Sequence, residues 1–113
     1  MSQINLAVDI MGGDYGPKTV IKAVSEASKL HPNVNFRLFG DKARALDEIT
    51  KDNSLKNFEI IHTSEYIKSD DEPVNALRKL KKSSLRLAVN DVEEKKSHGL
   101  VSAGNTGALM AIS

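Results

Sequence analysis

The sequence has no cysteine and no tryptophan. The first absence excludes disulfides, cysteine nucleophiles and any metal site that needs thiolate. Aromatics make up only 4% of the 113 residues, which disfavours a surface that stacks nucleic-acid bases. An excess of one charge is missing too: 16 Lys and Arg against 15 Asp and Glu give a net charge of +1. Composition therefore gives no global argument for nucleic acid or a membrane surface. No apolar run approaches the about 20 residues that span a bilayer. The N-terminal stretch MSQINLAVDIMGGD has neither a basic start nor a signal-peptide apolar region. There is no internal repeat and no low-complexity tract. What is present, 40% hydrophobic and 27% charged residues, suits one soluble globular unit with at most one domain core. A cytosolic setting fits the lack of cysteine.

INLAVDI (4–10) is a short apolar run ended by Gly12 and Gly13, the pattern of a strand buried on both faces. Pro17 follows where a first helical residue tolerates proline. Val20, Ile21, Val24, Ala27 and Ser28 then recur at helical spacing until His31-Pro32 stops them. VNFRLFG (34–40) alternates as a strand. Asp41 is placed to cap a helix through Ile49, with Leu46 and Ile49 inward. Asn53–Asn57 reads as a polar break, and FEIIHT (58–63) as a third strand. Another helix begins in SDDEPVNALRKLKK, with acidic residues at its positive dipole end. Ser83 or Ser84 caps a further helical piece carrying Leu85, Ala88, Val89 and Val92, which His98-Gly99 ends. GLVSA is the fourth strand, and Asn105 or Thr106 opens the next helix. The order β-α-β-α-β-α-β-α predicts an α/β fold with a doubly wound, mostly parallel sheet and helices on both faces.

Two loops, DIMGGDYGP and SAGNTGA, stand at strand ends before helices. In an open α/β sheet ligands sit at such carboxyl ends, where strand order reverses. Free backbone N–H groups and a helix dipole there favour anions, phosphate above all. Gly104 and Gly107 let the backbone approach a ligand closely; Asn105 and Thr106 supply short donors, and Ser102 adds a hydroxyl. A tight strand-to-helix turn with an Asn-Thr cap has the same composition. Neither a Walker loop nor GxGxxG is present. In the first loop, Asp14 serves equally as an Asx-turn or helix cap. Asp9 lies inside an apolar strand, where an unpartnered carboxyl is costly. A cationic side chain, a metal and a substrate hydroxyl are the alternatives for what these two carboxylates hold, and spacing identifies no partner for Asp9. Arg78, Lys79, Lys81, Lys82 and Arg86 form a basic cluster with no acidic residue among them. It reads either as a solvated face or, with Ser83 and Ser84 at a new helix start, as an anion site. His31, His62 and His98 are far apart, without ligand spacing, and suit loop or strand-end packing.

Together, VDIMGGDYGP, RKLKKSS and VSAGNTGALMA resemble the N-terminal part of bacterial phosphate acyltransferase, the acyl-[acyl-carrier-protein]:phosphate transacylase family of phospholipid synthesis. Motif order and spacing agree over essentially the whole chain. The resemblance implies an isocitrate/isopropylmalate dehydrogenase-like fold, usually in a homodimer. It implies transfer of a fatty acyl group from acyl carrier protein, or coenzyme A, to inorganic phosphate. The acyl phosphate then goes to a membrane glycerol 3-phosphate acyltransferase. It implies a cytoplasmic enzyme, peripheral at the membrane through a segment that this chain lacks. Site positions carried over are Asp9, Gly12, Gly13, Asp14 and Gly16; Arg78, Lys81, Ser83 and Ser84; and Ser102, Gly104, Asn105, Thr106 and Gly107. Asn105, Lys81 and Asp9 are the expected catalytic residues, and the others bind phosphate or the acyl thioester. Leu80 stands where a basic residue is usual. No metal, cofactor or nucleic acid is called for.

Family members are longer, and ALMAIS ends in an apolar run without a helix stop signal. The expectation is that residues 1–113 form the N-terminal part of a single α/β catalytic domain, inactive alone. A non-catalytic anion- or nucleotide-binding module is the competing reading, since glycine loops at strand ends serve many ligands. A dehydrogenase of the related fold is a third; it needs a nicotinamide site and metal-binding carboxylates that the sequence does not assign.

Overall fold

The computed structural model describes residues 3–11, 16–52, 55–66, 75 and 78–102. Its elements are β1 (Ile4–Asp9), α1 (Pro17–Leu30), β2 (Val34–Gly40), α2 (Lys42–Asp52), β3 (Phe58–His62), α3 (Ser84–Glu93) and β4 (Gly99–Ser102). The four strands form one sheet in the order β3-β2-β1-β4, and every pairing is parallel. The chain is thus an α/β fold with helices on both faces, as the alternating sequence pattern predicts. β1 to β3 extend the sheet one way, and β4 lies on the other side of β1. Strand order therefore reverses between β1 and β4.

Side chains along β1 alternate between two faces. Leu6 and Val8 join Phe36 and Leu38 beneath α1 and α2, where Ile21, Val24, Ala45 and Ile49 complete the main core. Ala7 and Phe39 face the other way and pack on Ala88 of α3. Asp9 shares the face of Ala7. Helix starts follow local chemistry. Pro17 occupies the first turn of α1, where its missing N–H has no partner to lose. Gly16 before it has φ 61°, a left-handed conformation that glycine tolerates. The Asp41 carboxylate accepts from the N–H groups of Ala43 (3.0 Å) and Arg44 (3.3 Å), capping α2. His62 Nδ1 accepts from Lys42 N–H at the same helix start, and His98 Nδ1 accepts from Asn5 N–H, so both rings serve strand-end packing.

Four expectations need correction. Leu46 is 38% exposed, and Ala45 takes the inward position with Ile49, because the inward stripe follows the 45/49 spacing of four residues. The polar break contains Leu55, which is buried in the main core. The helix expected from residue 70 lies mostly outside the described residues; Asn75, Arg78 and Lys79 are helical, but Leu80–Lys82 are not. α3 stops at Glu93, well before His98-Gly99. Lys95, at φ 64°, makes the stop without a glycine. Its N–H bonds to the Val92 carbonyl, and Lys96 N–H bonds to the Asp91 carbonyl, the paired bonds of a Schellman cap.

Below that cap, Arg37 of β2 donates to Asp91 through Nε (2.7 Å) and Nη2 (3.1 Å). It also pairs with Glu59 on β3, and the Ser97 hydroxyl donates to Asp91. Burial pushes the Asp91 carboxyl up, but the bonds from Arg37 and Ser97 outweigh it and hold the group below the usual carboxylate range. Because the folded value is the lower one, this stability is full above the unfolded pKa of about 3.9. It is lost as pH falls through the folded value. Asp91→Asn is expected to cost about 3 kcal/mol at neutral pH, since it strands a partly buried guanidinium. It should also flatten the acid limb of stability against pH, followed by urea unfolding. Lys95→Gly should raise stability by about 1 kcal/mol by removing a left-handed non-glycine residue; an unchanged or lower urea midpoint would contradict this.

Candidate functional site

The site begins where β1 and β4 end. Asp9 and Ser102 are direct partners across the parallel pair, at the carboxyl ends of both strands and at the point where strand order reverses. Asp9 is 2% exposed, and its carboxylate has three donors. Oδ1 accepts from the Ser84 hydroxyl at 2.5 Å and from Met11 N–H at 3.0 Å. Oδ2 accepts from the Ser102 hydroxyl at 3.2 Å. One residue from each of three separated motifs thus meets at one carboxylate: Asp9, Ser84 seventy-five positions on, and Ser102 ninety-three positions on.

α3 is brought to Asp9 by a short chain of bonds. Ser83 N–H donates to the Leu80 carbonyl, closing a turn with Lys81 and Lys82 at its tip. The Thr63 hydroxyl, just past β3, donates to the Lys82 carbonyl at 2.6 Å and accepts from Glu65 N–H. Ser84 N–H donates to the Glu65 carbonyl. The Ser83 hydroxyl accepts from Arg86 N–H and caps the helix. Sequence reading missed Thr63 and Glu65. Both act through short-range backbone bonds, and the only signal was a threonine at the end of a strand.

Ser83 and Ser84 are both fully buried. This differs from the expectation that their hydroxyls serve as anion ligands. Ser83 is committed to the cap and Ser84 to Asp9, because a carboxylate buried under a helix start needs donors there. The cations go the other way: Arg78, Lys79, Lys81, Lys82 and Arg86 are exposed, and none is in an ion pair. They surround the start of α3. Gly12, Gly13, Asp14, Gly104, Asn105, Thr106 and Gly107 lie outside the described residues. Their loops follow neighbouring, parallel strand ends. Gly16 meets α1, where a Cβ would contact the Arg44 guanidinium at 3.3 Å. Among the described residues no group of three His, Cys, Asp or Glu is placed to hold a metal ion, and no helix is long and apolar enough to cross a membrane.

The fold and site define an open parallel α/β protein with a polar cluster at its switch point, rimmed by unpaired cations. The family model described as "Fatty acid synthesis protein" matches residues 4–113, and the chain belongs to that family. Among curated proteins it is similar to the phosphate acyltransferase of Shewanella loihica (strain ATCC BAA-1088 / PV-4). That relative is 44% identical over an alignment of 116 residues, covering 100% of this chain and 34% of the relative. The phosphate acyltransferase of Ligilactobacillus salivarius (strain UCC118) is 47% identical over 106 residues, covering 94% of this chain and 31% of the relative. That of Streptococcus suis (strain 05ZYH33) is 42% identical, with the same coverage. The chain spans about a third of the length of the curated relatives it matches.

If Asp9 is the anchor that these bonds describe, its two serines are unequal. Ser84→Ala removes the shorter bond, which is wholly buried, and should cost about 2 kcal/mol. Ser102→Ala removes a longer bond at a half-buried position and should cost about 1 kcal/mol. Urea midpoints of the two variants check the order; a larger loss for Ser102→Ala would contradict it.

Proposed function

We propose that the protein carrying this chain transfers a fatty acyl group from a thioester, of acyl carrier protein or coenzyme A, to inorganic phosphate. The observation that carries the reading is the meeting of Asp9, Ser84 and Ser102 at the switch point beside the cation-rimmed start of α3. Relatives that share these positions are named phosphate acyltransferase. A phosphate oxygen attacks the thioester carbonyl carbon. The carbon–oxygen bond forms, the tetrahedral intermediate collapses, the carbon–sulfur bond breaks, and the thiol leaves with the proton that phosphate gives up. The product is an acyl phosphate, which suits a following transfer to a glycerol phosphate.

The roles divide by position. Lys81, with Arg78 beside it, attracts and orients phosphate from the rim. The glycine loops at the two strand ends, Gly12-Gly13 and Gly104–Gly107, supply N–H groups, and Asn105 donates to the thioester oxygen. A well-placed donor to that developing oxyanion contributes roughly 3–4 kcal/mol. Direct attack needs no enzyme nucleophile, and positioning supplies much of the rest. Asp9 is a positioning residue: it is enclosed by its three donors and holds both strand ends and the start of α3 in register. The wider assignment is a cytoplasmic homodimer, with acyl carrier protein as the donor's carrier.

The test uses the full-length protein, with acyl phosphate trapped by hydroxylamine. Lys81→Ala is expected to raise KM for phosphate about tenfold, a loss of about 1.4 kcal/mol. Asn105→Ala should act mainly on kcat. Wild-type values for both variants would remove the cradle from this location. Phosphate binding without thioester consumption by the wild type would favour a non-catalytic anion-binding module.

A further inference from the structure

On the face of the sheet opposite α3, an apolar groove of about 350 Å³ runs between α1 and the β1–β4 pair. Its floor is Leu6, Val8 and Val101, and its wall is Val20, Ala23 and Ala27 of α1. It opens at the carboxyl ends of β1 and β4, where Asp9 and Ser102 border it. Val101 lies beside Val8 on the edge strand and is 50% exposed, an unusual setting for valine in a sheet that is covered elsewhere on this face. Building outward from β4 does not cover it: a right-handed connection from β4 to a strand added on its free side passes over the α3 face.

We infer that this groove holds the acyl chain of the thioester, with the chain lying along β1 under α1 and the carbonyl at the Asp9–Ser102 end. The inference rests on the acyl-transfer reading and adds to it the place where chain length is sensed. Three features carry it. The lining is apolar along the length of the groove, matching a linear hydrocarbon. Its mouth coincides with the polar cluster, so head and tail of one substrate are served at once. It is open because α1 presents a small residue, Ala23, toward β4. Each methylene buried there should tighten binding about fourfold, so selectivity accumulates along the chain.

The experiment compares kcat/KM for palmitoyl- and butyryl-coenzyme A in the full-length protein. Ala23 is exposed at the groove wall, so Ala23→Trp narrows the groove without disturbing the core. The palmitoyl-to-butyryl ratio should fall by about tenfold or more. Leu30→Ser, at the far end of α1 and 77% exposed, should keep the wild-type ratio. Palmitate titrated calorimetrically gives a readout independent of turnover. Saturable binding by the wild type that weakens in Ala23→Trp and in Val101→Ser supports the groove. An unchanged ratio in Ala23→Trp, or palmitate binding indifferent to both substitutions, overturns it and leaves the groove to a further segment or a second copy of the protein. Should the wild type consume neither thioester, the acyl-transfer reading fails by itself, and the palmitate titration still decides the groove.

Discussion

The carboxylate of Asp9 sets the conditions for everything at the switch point. It is buried at the end of a strand, and a buried carboxylate without donors is not tolerated. Its three donors come from the residue pair after β1, from the first turn of α3 and from the last residue of β4. None of these is near another in sequence, so the bonds form only when the sheet has its final order. Local strand pairing and the polar cluster therefore require one another. The inward turn of Ser83 and Ser84, and the outward turn of the cations around them, follow from that requirement.

The same helix is tied at its other end. Asp91 in the last turn of α3 meets Arg37 on β2, while Leu85 and Ala88 between the two ties are buried. A polar anchor at each end with an apolar middle leaves the helix no freedom to slide along the sheet. The two anchors differ in kind. The Asp91 network joins opposite charges, and burial of the acid is offset by a guanidinium. The Asp9 cluster uses neutral donors alone, so no fixed cation sits inside the switch point, and positive charge is confined to the rim. An anion approaching from solvent thus meets cations before it meets Asp9.

Much of the fold was legible in the sequence because its signals are local. Alternation in VNFRLFG, the prolines after Gly16 and His31, and Asp41 before α2 each act within a few residues. Strand–helix alternation then restricts the topology by the handedness of crossovers. The misreadings arose where a local signal had rivals. Leu46 is the larger apolar residue, but Ala45 fits the closer packing against the sheet. His98-Gly99 is the stronger stop in sequence, yet Lys95 bends first, because Asp91 and Val92 have carbonyls to satisfy and the Asp91 side chain is held in place. For the site, the sequence marked Asp9 as needing a partner and marked Ser84 and Ser102 as polar residues in motifs. Joining them needed the register of β1 on β4, a tertiary fact without a local signature.

Gly40 shows a consequence of another sort. It ends β2 beside the point where the chain leaves β1, and a methyl group there would lie 2.5 Å from Ile10 Cγ1 and 2.7 Å from Met11 Cγ. Met11 is the residue whose amide reaches Asp9. The vacancy at position 40 is therefore what lets the exit of β1 settle deep enough for that amide to arrive. A missing carbon on a neighbouring strand governs the geometry of a carboxyl group it never touches, and a census of chemically active side chains would pass over it.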